Sequence, residues 1–192
     1  MKGLLIFLGI VAIIGFWMWN SYNGLVPKDE DVKQKWANVQ NQYQRRAELI
    51  PNLVNTVKGA ANFEQKTLTD VTEARAKATQ MKVDASNLTP EKIREFQAVQ
   101  GQLSQAMGRL MVVTENYPQL KANQNFLDLQ AQLEGTENRI TAARNDYNES
   151  IKVFNVGVRK FPLNLIAGFL KMSAKPPFEA DAAAQKAPSV QF

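Results

Sequence analysis

Apolar residues follow two different rhythms along this chain. From Leu4 to Trp19 they are uninterrupted, and from Val32 onward they recur every three or four positions. The first rhythm is that of a helix apolar all round, which needs lipid or protein about it. The second is that of a helix with one buried stripe. The sixteen residues Leu4–Trp19 would span ~24 Å as a helix, and a bilayer's hydrocarbon core is ~30 Å thick. Gly3 and the flank Asn20–Tyr22 close that gap.

The first stripe is Val32, Trp36, Val39, Tyr43, Ala47, Ile50, Val54, Val57, Ala61, Leu68 and Val71. It predicts one long helix starting at Lys28-Asp29-Glu30-Asp31, whose carboxylates suit a helix N-terminus. Pro51 lies inside it and predicts a kink, not a stop. Asp84 to Thr89 reads as a turn. Thr89-Pro90-Glu91 then restarts a helix with a capping hydroxyl, a proline at the first helical position and an acid. Its stripe is Ile93, Phe96, Leu103, Met107, Leu110 and Val113. Gly101 and Gly108, on one face, leave two readings open: close approach of another helix, or two weak points on an exposed side. After a break at Asn116-Tyr117-Pro118 comes a coiled-coil-like seam: Phe126, Leu129, Leu133, Thr136, Ile140, Ala143, Tyr147, Ile151, Phe154, Val158 and Phe161. Thr136, Glu137 and Asn138 interrupt it, and a buried polar group there would fix helix register. Phe161-Pro162 ends it.

The expected fold is therefore all-α: an N-terminal transmembrane helix, then a long antiparallel bundle of three to four helices with coiled-coil-like packing. Its first and last helices would each approach ~60 Å. The expected divisions are 1–22 as anchor, 23–174 as bundle and 175–192 as a Pro/Ala-rich tail, expected to be poorly ordered. Leu163–Met172 is expected to pack on the bundle end as a short helix, with an interfacial element as the alternative.

Composition supports helices: the stretch between the apolar ends is rich in Gln, Asn, Ala, Glu and Lys, and lacks β-like alternation. The net charge of +5 is dispersed. Arg45-Arg46 is a lone basic pair, so nucleic acid is not an expected partner, whereas mild attraction to anionic headgroups is compatible. The chain has no cysteine and no histidine. That removes the main zinc ligands, His-based triads and the Glu-x-x-His pairs of di-iron bundles. No cofactor or metal is expected. Carboxylate pairs remain conceivable as catalysts, but no glycine-rich phosphate loop is present.

Trp17-Met18-Trp19-Asn20 offers no small-residue cleavage pattern, so the apolar segment is read as an uncleaved anchor. Leu4, Leu8 and Val11 would sit in hydrocarbon, with Trp17, Trp19 and Tyr22 at the interface. Lys2 precedes the segment and Lys28, Lys33 and Lys35 follow it at greater distance, so loop charge does not decide orientation.

Several motifs resemble those of the LemA family, in order and over nearly the whole chain. They are Tyr22-Asn23-Gly24-Leu25-Val26, Arg45-Arg46-Ala47-Glu48-Leu49-Ile50-Pro51-Asn52-Leu53-Val54 with Val57-Lys58-Gly59, and Glu115-Asn116-Tyr117-Pro118-Gln119-Leu120-Lys121-Ala122. Thr136-Glu137-Asn138-Arg139-Ile140, Ala143-Arg144-Asn145-Asp146-Tyr147-Asn148, Phe161-Pro162 and the tail Ala187-Pro188-Ser189-Val190-Gln191-Phe192 complete the set. The resemblance implies a bacterial membrane protein with a helical bundle and no established catalytic activity. Some members carry a lipidated cysteine where Ser21 stands here, which implies a bundle on the periplasmic side of the inner membrane. Ala60-Ala61 and Pro177-Phe178 replace more aromatic pairs, leaving the first-helix contacts and tail docking open.

The expectation for function is a non-enzymatic, membrane-anchored scaffold that self-associates as a homo-oligomer or binds a membrane-protein partner. A lipid-binding or membrane-shaping role is the alternative, and a carboxylate hydrolase a distant third. Candidate interaction residues are Arg45, Arg46, Asn52, Lys58, Glu137, Asn138 and Arg144. Arg45 and Arg46 point ~100° apart on a helix. They read either as a site for an acidic partner or lipid phosphate, or as side chains satisfied by a facing helix.

Overall fold

In the computed structural model, which describes residues 2–59, 64–161, 163–165, 167–170 and 172–179, the apolar start and the first stripe form a single helix. Helix α1 runs Lys2–Lys58, 57 residues or ~86 Å at the ordinary rise. Then come α2 (Gln65–Gln80), α3 (Pro90–Thr114), the short α4 (Pro118–Lys121), α5 (Gln124–Arg159) and a 3-10 turn at Leu163–Leu165. No strand occurs among the described residues, and the all-α expectation holds.

Two boundaries differ from expectation. Lys28–Asp31 is not a helix start but the middle of α1. Before it stand the weak helix formers Asn23, Gly24 and Pro27, so packing carries the helix through: Leu25 and Val32 on either side are buried in one cluster, and Pro27 removes only one backbone bond. Its acids serve otherwise: Asp29 pairs with Lys33 at 2.9 Å and also with Lys175. The stripe Val32–Val71 is likewise two helices, since α1 ends at Lys58 and α2 begins at Gln65. Both helices face one core, so the spacing alone does not mark the reversal. The stripe's Ala61 lies outside the described residues, as do Pro162 and the tail from 180.

The side-chain contacts fix the directions. Lys35 meets Asp146, and Arg46 meets Glu137, so α5 runs antiparallel to α1. Arg75 reaches the Ala47 carbonyl, and Trp36 reaches that of Val83, so α2 returns along α1. Gln100 reaches the Ala78 carbonyl, and Arg109 approaches Asp70, so α3 reverses again. The result is an up-down-up-down four-helix bundle, in which α1 packs most extensively on α5 and α2 on α3. Caps behave as the sequence predicts at α3, where Thr89 Oγ1 accepts from the Lys92 amide at 3.3 Å. Asn123 does the same for α5, accepting from the Phe126 amide at 3.3 Å.

Two apolar clusters fill the bundle. Toward the α1 C-terminus, Ile50, Leu53 and Val57 meet Leu68, Leu103, Leu110 and Leu133. Toward the other end lies an aromatic cluster of Trp36, Tyr43, Phe96, Tyr147 and Phe178. Each fully buried large side chain contributes roughly 1.5–3 kcal/mol.

Of the expected tail, the structure describes residues 175–179. Residues 175–179 are docked along α5: Asn155 brackets Lys175, with both bonds at 2.8 Å. Tyr147 donates to the Pro176 carbonyl at 3.0 Å, and Asn148 holds the Phe178 amide at 2.8 Å. Phe178 stacks on Trp36, with ring centres 5.7 Å apart. One buried aromatic with paired backbone outweighs the ordering cost of so short a segment. Two further details changed. Gly101 and Gly108 face open space, whereas Gly157 is the close-approach glycine: a Cβ there would lie 2.8 Å from Leu25 Cδ2. And Phe161, the seam's last member, is exposed because α5 ends at Arg159.

Candidate functional site

Midway along the bundle the apolar packing gives way to a polar layer built on Arg46. The stripe places position 46 beside Ala47 and Tyr43 on the buried face of α1, and its guanidinium is 1% exposed. One terminal nitrogen donates to Ser104 Oγ and Glu137 Oε1, both at 2.8 Å. The other donates to the Gln100 carbonyl at 3.2 Å and to Gln100 Oε1 at 2.8 Å. Gln100 passes its own amide to Ala78 O at 3.3 Å. One side chain thereby ties α1 to α3 and α5 directly, and to α2 through Gln100. A buried guanidinium is tolerated when its fork is filled and a carboxylate balances it. Arg46 Nε has no protein partner, and the ring of Tyr43 lies 5.0 Å below the cation.

Because α3 and α5 meet sparsely, this layer opens sideways into a cleft of about 550 Å³. The buried Arg46 and Gln100 lie at its inner side, and the exposed Ser104, Arg94 and Glu179 and the half-buried Arg144 also line it. Arg144 lies over the Phe178 ring at 4.9 Å and donates to the Glu179 carbonyl at 3.2 Å. The Tyr43 hydroxyl is pushed up by burial, against the opposing pull of Arg144 and Arg46. A second cleft, of about 770 Å³, lies between α1 and α2, with Gln44, Glu48, Arg75 and Lys82 in its wall.

The candidate residues separate accordingly. The structure brings Arg46, Glu137 and Arg144 to one cleft. Arg45, Asn52, Lys58 and Asn138 are exposed and apart from it. Sequence reasoning missed Gln100, Ser104 and Arg75. Gln100 and Ser104 carried a weak signal, as polar positions near the α3 stripe. Arg75 answers Pro51: a proline has no N–H, so the carbonyl four residues back, that of Ala47, loses its helical donor. Arg75 Nε supplies one at 2.7 Å. In the anchor, Leu4, Leu8, Val11, Trp19 and Tyr22 are exposed and Trp17 is half-buried. Among the described residues no cluster of three or more acidic, His or Cys side chains is placed to hold a metal.

A helix long and apolar enough to cross a membrane, with its apolar stretch left uncovered by the protein, continues without a break into a four-helix rod. That defines a class, the helical rod whose first helix carries an apolar N-terminal stretch long enough to cross a membrane. Within it, this chain belongs to the LemA family, whose pattern matches residues 35–192. It is 27% identical over 177 residues to magnetosome proteins MamQ 1 and MamQ 2 of Paramagnetospirillum magneticum, covering 83% of this chain and 65% of each relative. It is 24% identical over 195 residues to magnetosome protein MamQ of Magnetospirillum gryphiswaldense, covering 88% and 70%. It is 25% identical over 164 residues to protein LemA of Metamycoplasma hominis, covering 85% and 71%. The chain thus spans 65% of the length of the P. magneticum relatives.

Proposed function

We propose that this chain is a non-enzymatic scaffold, tethered to the bacterial inner membrane by one span, with its bundle on the periplasmic side and its rods associating with one another. The observation that carries the reading is the continuity of α1 from Lys2 to Lys58. A flexible linker would let the bundle tumble. A helix shared by membrane and bundle instead holds the rod at one attitude to the bilayer, as repeated lateral contacts require. The polar layer supports the same reading: Arg46 fixes helix register and leaves the long sides of the rod for partners. The periplasmic placement rests on the resemblance to family members lipidated at the position of Ser21.

The hydrolase reading finds little support. A general acid needs a carboxyl pushed up toward neutrality. Asp29 and Glu91 are both shifted the other way. For Asp29, burial pulls upward and the lysines at 175 and 33 more than offset it; for Glu91, backbone and Thr89 hydrogen bonds lower it.

The test is the assembled mass of the full chain in mild detergent, beside that of the fragment starting at Tyr22, with cross-linking in intact membranes. A discrete assembly of both places association in the bundle. Monomers in detergent with no cross-links in membranes would refute the scaffold.

A further inference from the structure

Phe161, Leu165 and Phe169 leave 79%, 64% and 90% of their surface open. A single exposed apolar side chain is ordinary, but three large ones within nine residues ask for a partner. Their position in the bundle says which. Lys35 pairs with Asp146, Arg46 with Glu137, and Gly157 lies against Leu25. The paired numbers total 181, 183 and 182, a constant register between α1 and α5. Carried four residues past Gly157, that register brings Phe161 to the level of Ser21, between Trp19 and Tyr22. The chain then turns through Leu163–Leu165 and tucks Ala167 into the same cluster as Leu25 and Val158. Its exposed side chains therefore crowd the end of the bundle where the apolar part of α1 emerges.

Charge agrees. Between Glu149 and Glu179 the chain carries Lys152, Arg159, Lys160, Lys171 and Lys175, and no acid; Lys152 is paired with Glu149 and Lys175 with Asp29. Arg159 and Lys160 are exposed beside Phe161. Aromatic and aliphatic side chains flanked by cations suit the boundary between acyl chains and anionic headgroups.

We propose that Phe161, Leu165 and Phe169 form a second membrane contact. They enter the leaflet from which α1 emerges, with Arg159 and Lys160 against its anionic phosphates. The proposal rests on α1 spanning that bilayer. Two contacts, one spanning and one at the surface, would resist rocking of the rod about the span more firmly than the continuous helix does alone.

The cysteine-free sequence permits a direct test on the full chain, reconstituted in vesicles of phosphatidylglycerol and phosphatidylcholine. Single spin labels are placed at Ile10→Cys, Phe169→Cys and Val112→Cys, the last at the far end of the bundle. Collision with oxygen, which prefers lipid, is compared with collision with a water-soluble nickel chelate. The oxygen-to-chelate ratio at 169 is expected to exceed that at 112 several-fold and to fall below that at 10. A label at 169 as open to chelate as that at 112, with 10 still in lipid, overturns the second contact and leaves the anchor. Shielding of 169 from both reagents means protein cover, by a second copy for instance, and also overturns it. A chelate-open label at 10 removes the anchor and the proposal together. A label at Leu165→Cys should show the same lipid preference and lose it when Phe161→Asp and Phe169→Asp are combined; persistence there would show that the aromatic pair does not drive the contact.

Discussion

Pro51 shows how one residue's chemistry reaches across the bundle. Its missing N–H leaves the Ala47 carbonyl to Arg75, which binds α2 to α1. Arg75→Met should therefore cost about 1 kcal/mol, the net value of one partly buried bond. In a Pro51→Ala background the helical donor returns, and the same change should cost close to nothing. Additive losses in a thermal double-mutant cycle would refute the link. Arg46 and Glu137 make an asymmetric pair, because Arg46 is 1% and Glu137 47% exposed. A guanidinium keeps its charge at any accessible pH. Glu137→Ala would strand that buried cation and should destabilise by about 2–3 kcal/mol, the low end for a broken buried pair because Glu137 is half-exposed. Adding Arg46→Met to Glu137→Ala should restore part of the loss in denaturant unfolding. The doublet Arg45-Arg46 was legible in the sequence, but not which arginine turns inward. Adjacent residues on one helix lie ~100° apart, and only a facing helix selects between them.

At the scale of elements, Gly157 allows α5 to approach α1 closely at Leu25. A bulkier side chain there meets Leu25, so Gly157→Val should destabilise by ~1–3 kcal/mol through overpacking. Gly108→Ala meets open space and should stabilise by ~0.5–1 kcal/mol through helix propensity. Melting temperatures moving in opposite directions would bear out both, and equal shifts would refute the distinction. The segment 175–179 is held by its own chemistry. Asp29 is less readily protonated folded than unfolded, because the lysines at 175 and 33 outweigh the effect of its burial. Its contribution is thus complete above the ordinary aspartate value of 3.8 and lost as pH falls through the lower folded value. The stability gap between the native chain and Asp29→Asn should be constant at higher pH and close below 3.8. Helix starts and turns at Thr89 and Tyr117 were legible, since capping is local chemistry. The docking of Phe178 was not, because its partners Trp36, Phe96 and Tyr147 lie on three different helices.

For the whole molecule, the buried core begins at Leu25. Among the described residues, everything before it is exposed apart from the half-buried Trp17, Met18 and Ser21. The fragment starting at Tyr22 should therefore stay helical and unfold in one cooperative transition, by circular dichroism. A molten, uncooperative fragment would mean that the anchor helps to fold the bundle. The length of the rod serves the same division: α5 has 36 residues, ~54 Å, so the central polar layer and the far cluster stand well away from the apolar stretch that ends near Tyr22.

Sequence by itself determined what depends on local periodicity and local caps. That covers the apolar span, the stripes, the breaks at Asp84–Thr89 and Asn116–Pro118, and the all-α architecture, because a helix buries a face every three or four residues whatever it packs against. Only the tertiary structure decided that α1 runs unbroken from span to bundle, that α2 is a separate helix, that Arg46 rather than Arg45 is buried, and that Phe178 completes the core. Each of these turns on which surfaces meet across tens of residues, where burial and pairing outweigh the small preferences a local sequence can express.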